Sequence, residues 1–130
     1  MVDASAIVEY ILQTDHSGEI DRVVQAAEID LHAPALCDVE VAAALRRSLL
    51  TGRLTATRAE DALEDYLDLP LIRHGHQALL GRMLKLRSNF SAYDAAYVAL
   101  AEQLKGELLT ADGGLARSVR RHLPLPLATS

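Results

Sequence analysis

Glu107-Leu-Leu-Thr-Ala-Asp-Gly113 reads as a strand that passes directly into a helix. The apolar pair Leu108 and Leu109 defines a short strand from Glu107 to Thr110, Asp112 stands at the turn, and a helix is expected from about Gly113 to His122. The chain opens with the same step. Met1 to Asp3 reads as the end of a very short strand, followed by a helix over roughly Ala4 to Gln13. Between these two steps, Gln13 to Gly18 is expected to turn, Ser17 to Glu28 to form a helix, and Asp30 to Ala33 to extend until Pro34 stops it. Ala35 to about Leu50 is the clearest helix, with Leu36, Val39, Ala43, Leu45 and Leu49 near helical spacing and Gly52 just past its end.

Thr55 to Tyr66 is a further expected helix, capped by Thr55 or Thr57, with Ala56, Ala59, Leu63 and Tyr66 along one stripe. Leu67, Leu69 and Leu71 then alternate with Asp68, Pro70 and Ile72, a strand that its proline confines to a sheet edge. Helices at about Gln77 to Arg87 and Ala92 to Leu104 follow, and Leu123, Leu125 and Leu127 alternating with Pro124 and Pro126 suggest a second edge strand. Strands separated by helices imply right-handed crossovers and a parallel sheet covered on both faces, so the fold class is α/β. Ligands in such folds bind outside the carboxyl ends of the strands. Asp3 and Asp112 should therefore point into that crevice.

Composition agrees with one domain over residues 1–130: half the residues are hydrophobic, with no Trp and one Phe, a core of Ala, Leu, Val and Ile suited to helix-on-sheet packing. There is no internal repeat and no Gly/Ser linker. Cys37 is the only cysteine, and no charged n-region with a following apolar stretch opens the chain, so a cytoplasmic location is expected. No apolar run approaches the ~20 residues of a membrane span. The net charge of −5 argues against a general nucleic-acid coat protein, yet not against a nuclease, because bound cations reverse the local potential of a carboxylate cluster.

Four acids, Asp3, Glu40, Asp94 and Asp112, lie among small or apolar residues near expected helix starts, with no Lys or Arg three or four positions away. Other acids have such a partner, as in Glu19/Arg22, Arg58/Asp61 and Glu102/Lys105, although Asp38 does not. Asp3 and Asp112 can each be read as a simple N-cap, and Ser91-Ala-Tyr-Asp94 has capping-box spacing. Glu40 has no such alternative, since its one-turn neighbours are Leu36, Cys37, Ala43 and Ala44 and an unpaired carboxylate on an apolar face is costly. If the four converge, each pair at ~4 Å repels by roughly 4 kcal/mol at an effective dielectric of ~20. An all-oxygen ligand set selects a hard cation, and Mg²⁺ or Mn²⁺ with retained waters fits it better than zinc.

Four segments, Met1-Val-Asp3-Ala-Ser5, Asp38-Val-Glu40-Val-Ala, Ser91-Ala-Tyr-Asp94-Ala-Ala-Tyr-Val-Ala-Leu-Ala and Leu108-Leu-Thr110-Ala-Asp112-Gly, carry a resemblance. In order and spacing the chain resembles, over nearly its whole length, the PIN-domain ribonucleases of the VapC toxin type. The resemblance implies a three-layer α/β/α fold with a central four- or five-stranded parallel sheet flanked by helices. It also implies a Mg²⁺/Mn²⁺-dependent endoribonuclease with Asp3, Glu40, Asp94 and Asp112 as its acidic quartet, a VapB-type antitoxin partner seated on the helices from about Ser17 to Tyr66, and a homodimer. Ser5 and Thr110 would orient the acids, and Asn89 holds a position where the family often has a polar group near the metal. Only Met1 and Val2 precede Asp3, so the first strand is expected to be unusually short or to start upstream. Gly113 and Gly114 stand where a further acid is sometimes found, so a second metal position is expected to be the weaker one.

Arg46 and Arg47 follow Glu40 by nearly two turns and could hold substrate phosphates, or simply complete a solvated helix end. Arg117, Arg120 and Arg121 carry the same ambiguity. His74-Gly-His76 is expected to be a surface turn, Cys37 a small buried hydrophobe, and Tyr93, Tyr97 and Tyr10 core residues. Two rival functions remain open at this level. One is a doubly wound phosphoacceptor or phosphatase using Asp3 as nucleophile. The other is a PIN-like module that binds RNA or protein without cutting.

Overall fold

The computed structural model describes residues 3–12 and 30–129. In chain order these form α1 (Ala4–Leu12), β1 (Leu31–Pro34), α2 (Leu36–Leu50), α3 (Ala56–Asp68), β2 (Leu71–His74), a 3₁₀ turn (Gln77–Leu79) that leads into α4 (Leu80–Lys85), α5 (Ala92–Leu104), β3 (Leu108–Thr110), α6 (Gly113–His122) and β4 (Leu127–Thr129). The expected strand before Asp3, turn from Gln13 and helix from Ser17 to Glu28 fall on residues outside this description.

Both strand pairings are parallel. β1 runs beside β2 with Leu31 opposite Leu71, and β3 runs beside β4 with Leu108 opposite Leu127. The two proline-flanked strands, β2 and β4, each have one neighbour among the described residues, as their prolines require. Asp3 enters alongside β3, its backbone N–H donating to Leu109 O at 3.0 Å. The element that ties the halves together is α5, which packs on both β1 and β3. Every residue from Ala95 to Ala101 is buried, and the small side chains Ala95, Ala96, Ala99 and Ala101 let the helix lie close to both strand pairs.

Several boundaries depart from the sequence reading. The strand expected over Leu67 to Ile72 begins instead at Leu71, because α3 continues to Asp68. Leu69, the residue before Pro70, is extended at φ −65° and ψ 135°, and a residue before proline is disfavoured in the helical region, so the helix stops there. Similarly, Leu123 to Pro126 form no strand, and β4 starts only at Leu127. Pro34 ends β1 as its last residue rather than lying beyond it.

The buried stripes also shift. On α2 the buried positions are Cys37, Val41 and Leu45, spaced by four, while Val39 is 71 % exposed and Leu49 is exposed as well. On α3 they are Ala59, Ala62 and Tyr66, leaving Leu63 exposed. Thr55, rather than Thr57, caps α3, accepting from Arg58 N at 3.2 Å. Glu102 pairs with Arg82 of α4 at 2.8 Å and not with Lys105.

Candidate active site

A cleft of about 430 Å³ opens between α1, α2, α5 and the start of α6. Asp3, Glu40, Asp94 and Asp112 all line it, together with Ser5, Arg47 and Tyr97 over a base of Val8, Ala43 and Ala44. Asp3 precedes α1, Asp112 precedes α6, Asp94 lies in the first turn of α5, and Glu40 projects from the second turn of α2. Four residues up to 109 positions apart in sequence thus meet because three helix starts and one helix flank face the same space.

Asp3 is only 4 % exposed. Its Oδ1 accepts from Ser5 Oγ at 2.6 Å and from Ala6 N at 3.0 Å, and its Oδ2 accepts from Thr110 Oγ1 at 2.5 Å. Ser5 Oγ in turn accepts from Ala111 N at 3.0 Å, and Thr110 Oγ1 accepts from Asp112 N at 2.9 Å. Each hydroxyl therefore spends its one proton on Asp3 while its lone pairs hold the β3–α6 turn. The Asp3 carboxylate is a helix cap and a cleft residue at once.

Asp112 also has two parts to play in local structure. Its Oδ1 accepts from Gly114 N and Leu115 N at 2.9 and 3.1 Å, the N-cap of α6. A Cβ on Gly114 would stand 3.2 Å from that oxygen, so the glycine leaves the cap its room. At Asp94 the sequence alternative is half realised. Ser91 Oγ caps α5 by accepting from Asp94 N at 3.1 Å, whereas the Asp94 side chain faces the cleft. Glu40 accepts at Oε1 from Tyr97 Oη at 2.6 Å.

Two of the cleft acids are held above the ordinary carboxylate range. Burial pushes Asp3 up from 3.8 to about 6, despite its hydrogen bonds from Ser5, Thr110 and Ala6, and the Asp112 carboxylate adds to the rise. Asp94 is also raised, first by burial and then by the charges of Asp112 and Glu40. The ion pairs among the described residues, Arg73–Asp38 and Arg82–Glu102, involve none of the four. No three His, Cys, Asp or Glu side chains of the described residues close on one point as a ready cage. The donor set is all oxygen, mutually repelling and open to water. That fits a hard cation that keeps part of its hydration, and it does not fit zinc.

Other expected residues fall elsewhere. Arg47 reaches the cleft, but Arg46 is exposed on α2 and does not line it. Asn89 is exposed in the turn after α4, its N–H donating to Leu86 O at 3.2 Å, and lies outside the cleft lining. Asp38, ambiguous in sequence, is a structural acid held by Tyr66 Oη at 2.5 Å and Arg73 Nε at 2.9 Å, which keep its carboxyl below the ordinary range. His74 belongs to β2 and bonds His32 at 2.8 Å, and His76 accepts from Leu36 N at 3.0 Å, so this pair anchors the start of α2 rather than forming a plain surface turn. Cys37 is fully buried and its thiol is pushed up to about 11. Tyr97 was legible in sequence only as core. The missed signal was its place one turn after Asp94, which puts both on one helix face.

The sequence matches the PIN domain over residues 1–120. It is 38 % identical over 125 residues to ribonuclease VapC9 of Mycobacterium tuberculosis, covering 96 % of this chain and 94 % of that protein. Ribonuclease VapC3 of the same species is 39 % identical over 118 residues, covering 91 % and 85 %. Among solved structures, that of PAE2754 from Pyrobaculum aerophilum superposes with a TM-score of 0.73 at 22 % identity, over 97 % of this chain and 80 % of that one. The chain belongs to the PIN-domain family and groups within it with the VapC ribonucleases. Its fold is the α/β fold of that family.

Proposed function

We propose that the chain is a Mg²⁺- or Mn²⁺-dependent endoribonuclease, the toxin of a toxin–antitoxin pair, whose Asp3, Glu40, Asp94 and Asp112 carboxylates hold the cation. The observation that carries this reading is the meeting of four carboxylates in one cleft with no ion-pair partner among the described residues. When bound, the cation supplies a countercharge to the phosphodiester and makes water a competent nucleophile at neutral pH. Everything else is done by the chain. Ser5 and Thr110 hold Asp3 in one orientation, the α6 N-cap fixes Asp112, and Tyr97 fixes Glu40. Arg47, the cation-bearing side chain of the cleft lining, attracts a substrate phosphate toward the acids.

The phosphoacceptor alternative loses ground on the same geometry. Ser5, Ala6 and Thr110 take three of the four lone-pair positions of the Asp3 carboxylate and the residue is buried, which leaves one Oδ2 position for a cation and little access for in-line attack on a phosphorus. The antitoxin of this reading is a VapB-type protein. A groove of Val41, Leu63, Tyr66 and Leu67 beside the Arg73–Asp38 pair offers an apolar seat with a charged rim, suited to an amphipathic segment. A homodimer and a cytoplasmic location belong to the same proposal, and no helix among the described residues is long and apolar enough to cross a membrane.

The test is cleavage of a structured RNA by protein freed of any partner. Cutting is expected with Mg²⁺ or Mn²⁺ and is lost in chelator, and Asp94→Asn removes it while the far-UV circular dichroism stays unchanged. Equal cutting in chelator would sink the metal mechanism.

A further inference from the structure

We infer that Tyr97 is a positioning residue that presents Glu40 to the cation, an inference that rests on the reading of the cleft as a cation site. Tyr97 stands one turn after Asp94 on α5 and is 2 % exposed, yet its hydroxyl reaches the cleft wall and donates to Glu40 Oε1 at 2.6 Å. The bond spans two helices and 57 residues of sequence. Glu40 Oε2 takes no hydrogen bond among the described residues, so the carboxylate is held by one oxygen and offers the other.

A glutamate on a helix flank has three side-chain torsions, and ordering them is an entropic cost that each binding event must otherwise meet. The tyrosine meets it in advance. Its ring is buried in the hydrophobic core, with the Cys37 thiol of α2 beside the hydroxyl, so the donor itself has little freedom. Asp3 and Asp112 are positioned by caps and hydroxyls of their own turn, whereas Glu40 has no local device and depends on this contact from a second helix. Tyr66 makes the same kind of bond to Asp38, also on α2, but outside the cleft. The molecule therefore contains its own control.

Mn²⁺ titration of the purified chain by calorimetry separates the possibilities. Wild type is expected to bind Mn²⁺ and Asp94→Asn to lose it, and a wild type that does not bind overturns the cation reading and this inference together. Given binding, Tyr97→Phe is expected to weaken Mn²⁺ by roughly tenfold, the scale of one hydrogen bond to a charged group. Tyr66→Phe leaves the affinity unchanged. In a Glu40→Gln background, Tyr97→Phe has no further effect, because its action runs through Glu40.

Wild-type affinity in Tyr97→Phe overturns the inference alone, as does an equal loss in both backgrounds, which a purely structural role would give. Should Tyr97→Phe fail to fold, Glu40→Asp keeps the charge and withdraws it one methylene from the hydroxyl. Undiminished Mn²⁺ affinity in that variant is then the overturning result.

Discussion

The Asp3 carboxylate accepts bonds from two hydroxyls and a backbone N–H, and burial nevertheless pushes it up to about 6. The hydrogen bonds favour the charged form, but taking that charge out of water costs more than they return. The unfolded chain gives up this proton near 3.8 and the folded chain near 6. Between those values the folded state binds more protons, so stability falls as pH rises through the window and stays lower above it. At ~1.4 kcal/mol per unit, the loss by neutral pH is about 3 kcal/mol for the cation-free protein. Urea unfolding in chelator should show wild type losing stability between pH 4.5 and 7, with a clearly flatter profile in Asp3→Asn. Parallel profiles would mean that the burial of Asp3 is relieved by something other than protonation. The sequence disclosed the acid and, through family resemblance, its hydroxyl partners, because all three belong to two short segments. It could not disclose Tyr97's bond to Glu40, which depends on how two helices cross.

At the scale of elements, a helix cap and a cleft acid coincide at Asp3 and at Asp112, and the two duties can be pulled apart at α6. Asp112 Oδ1 caps Gly114 and Leu115, a contact that an asparagine oxygen can reproduce. Asp112→Asn should therefore keep the unfolding free energy near wild type, while Asp112→Ala loses about 1 kcal/mol. Both should lose RNA cleavage. An Asp112→Asn variant that cuts at the wild-type rate would leave Asp112 a cap and nothing more. The elements that sequence placed best, α5 and α6, are those whose starts carry a side-chain cap, at Ser91 and Asp112. At α3, capped by Thr55, it is the end of the helix and not its start that the sequence reading misplaced. The leucines from Leu63 to Leu71 satisfy a helix and a strand equally well, and only the backbone constraint that Pro70 puts on Leu69 decides where the change occurs. On α2 several apolar residues invite a stripe through Val39, but packing against α1, α3 and β1 buries Cys37, Val41 and Leu45 instead.

For the molecule as a whole, the cleft gathers four carboxylates that no ion pair among the described residues answers. The chain carries a net −5, and although hydroxyls and backbone N–H groups donate to Asp3, Glu40 and Asp112, burial still holds Asp3 above the ordinary carboxylate range. The cation-free fold must therefore hold its acids together against their repulsion, and an ion that binds the folded state alone should recover that energy. At a concentration 100-fold above its dissociation constant such an ion stabilises by about 2.7 kcal/mol. For a domain of this size that corresponds to a rise of roughly 10 °C in melting temperature. Thermal denaturation at pH 7.5 should show this rise with Mn²⁺ or Mg²⁺ over a chelator control. It should vanish in Asp94→Asn, and in wild type it should shrink at pH 5, where Asp3 takes up its proton and the cation must compete for the site. A shift of the same size in Asp94→Asn would assign the stabilisation to ions on the general acidic surface. Its loss in that variant alone would tie the repulsion among these acids to the cleft in which RNA cleavage is proposed.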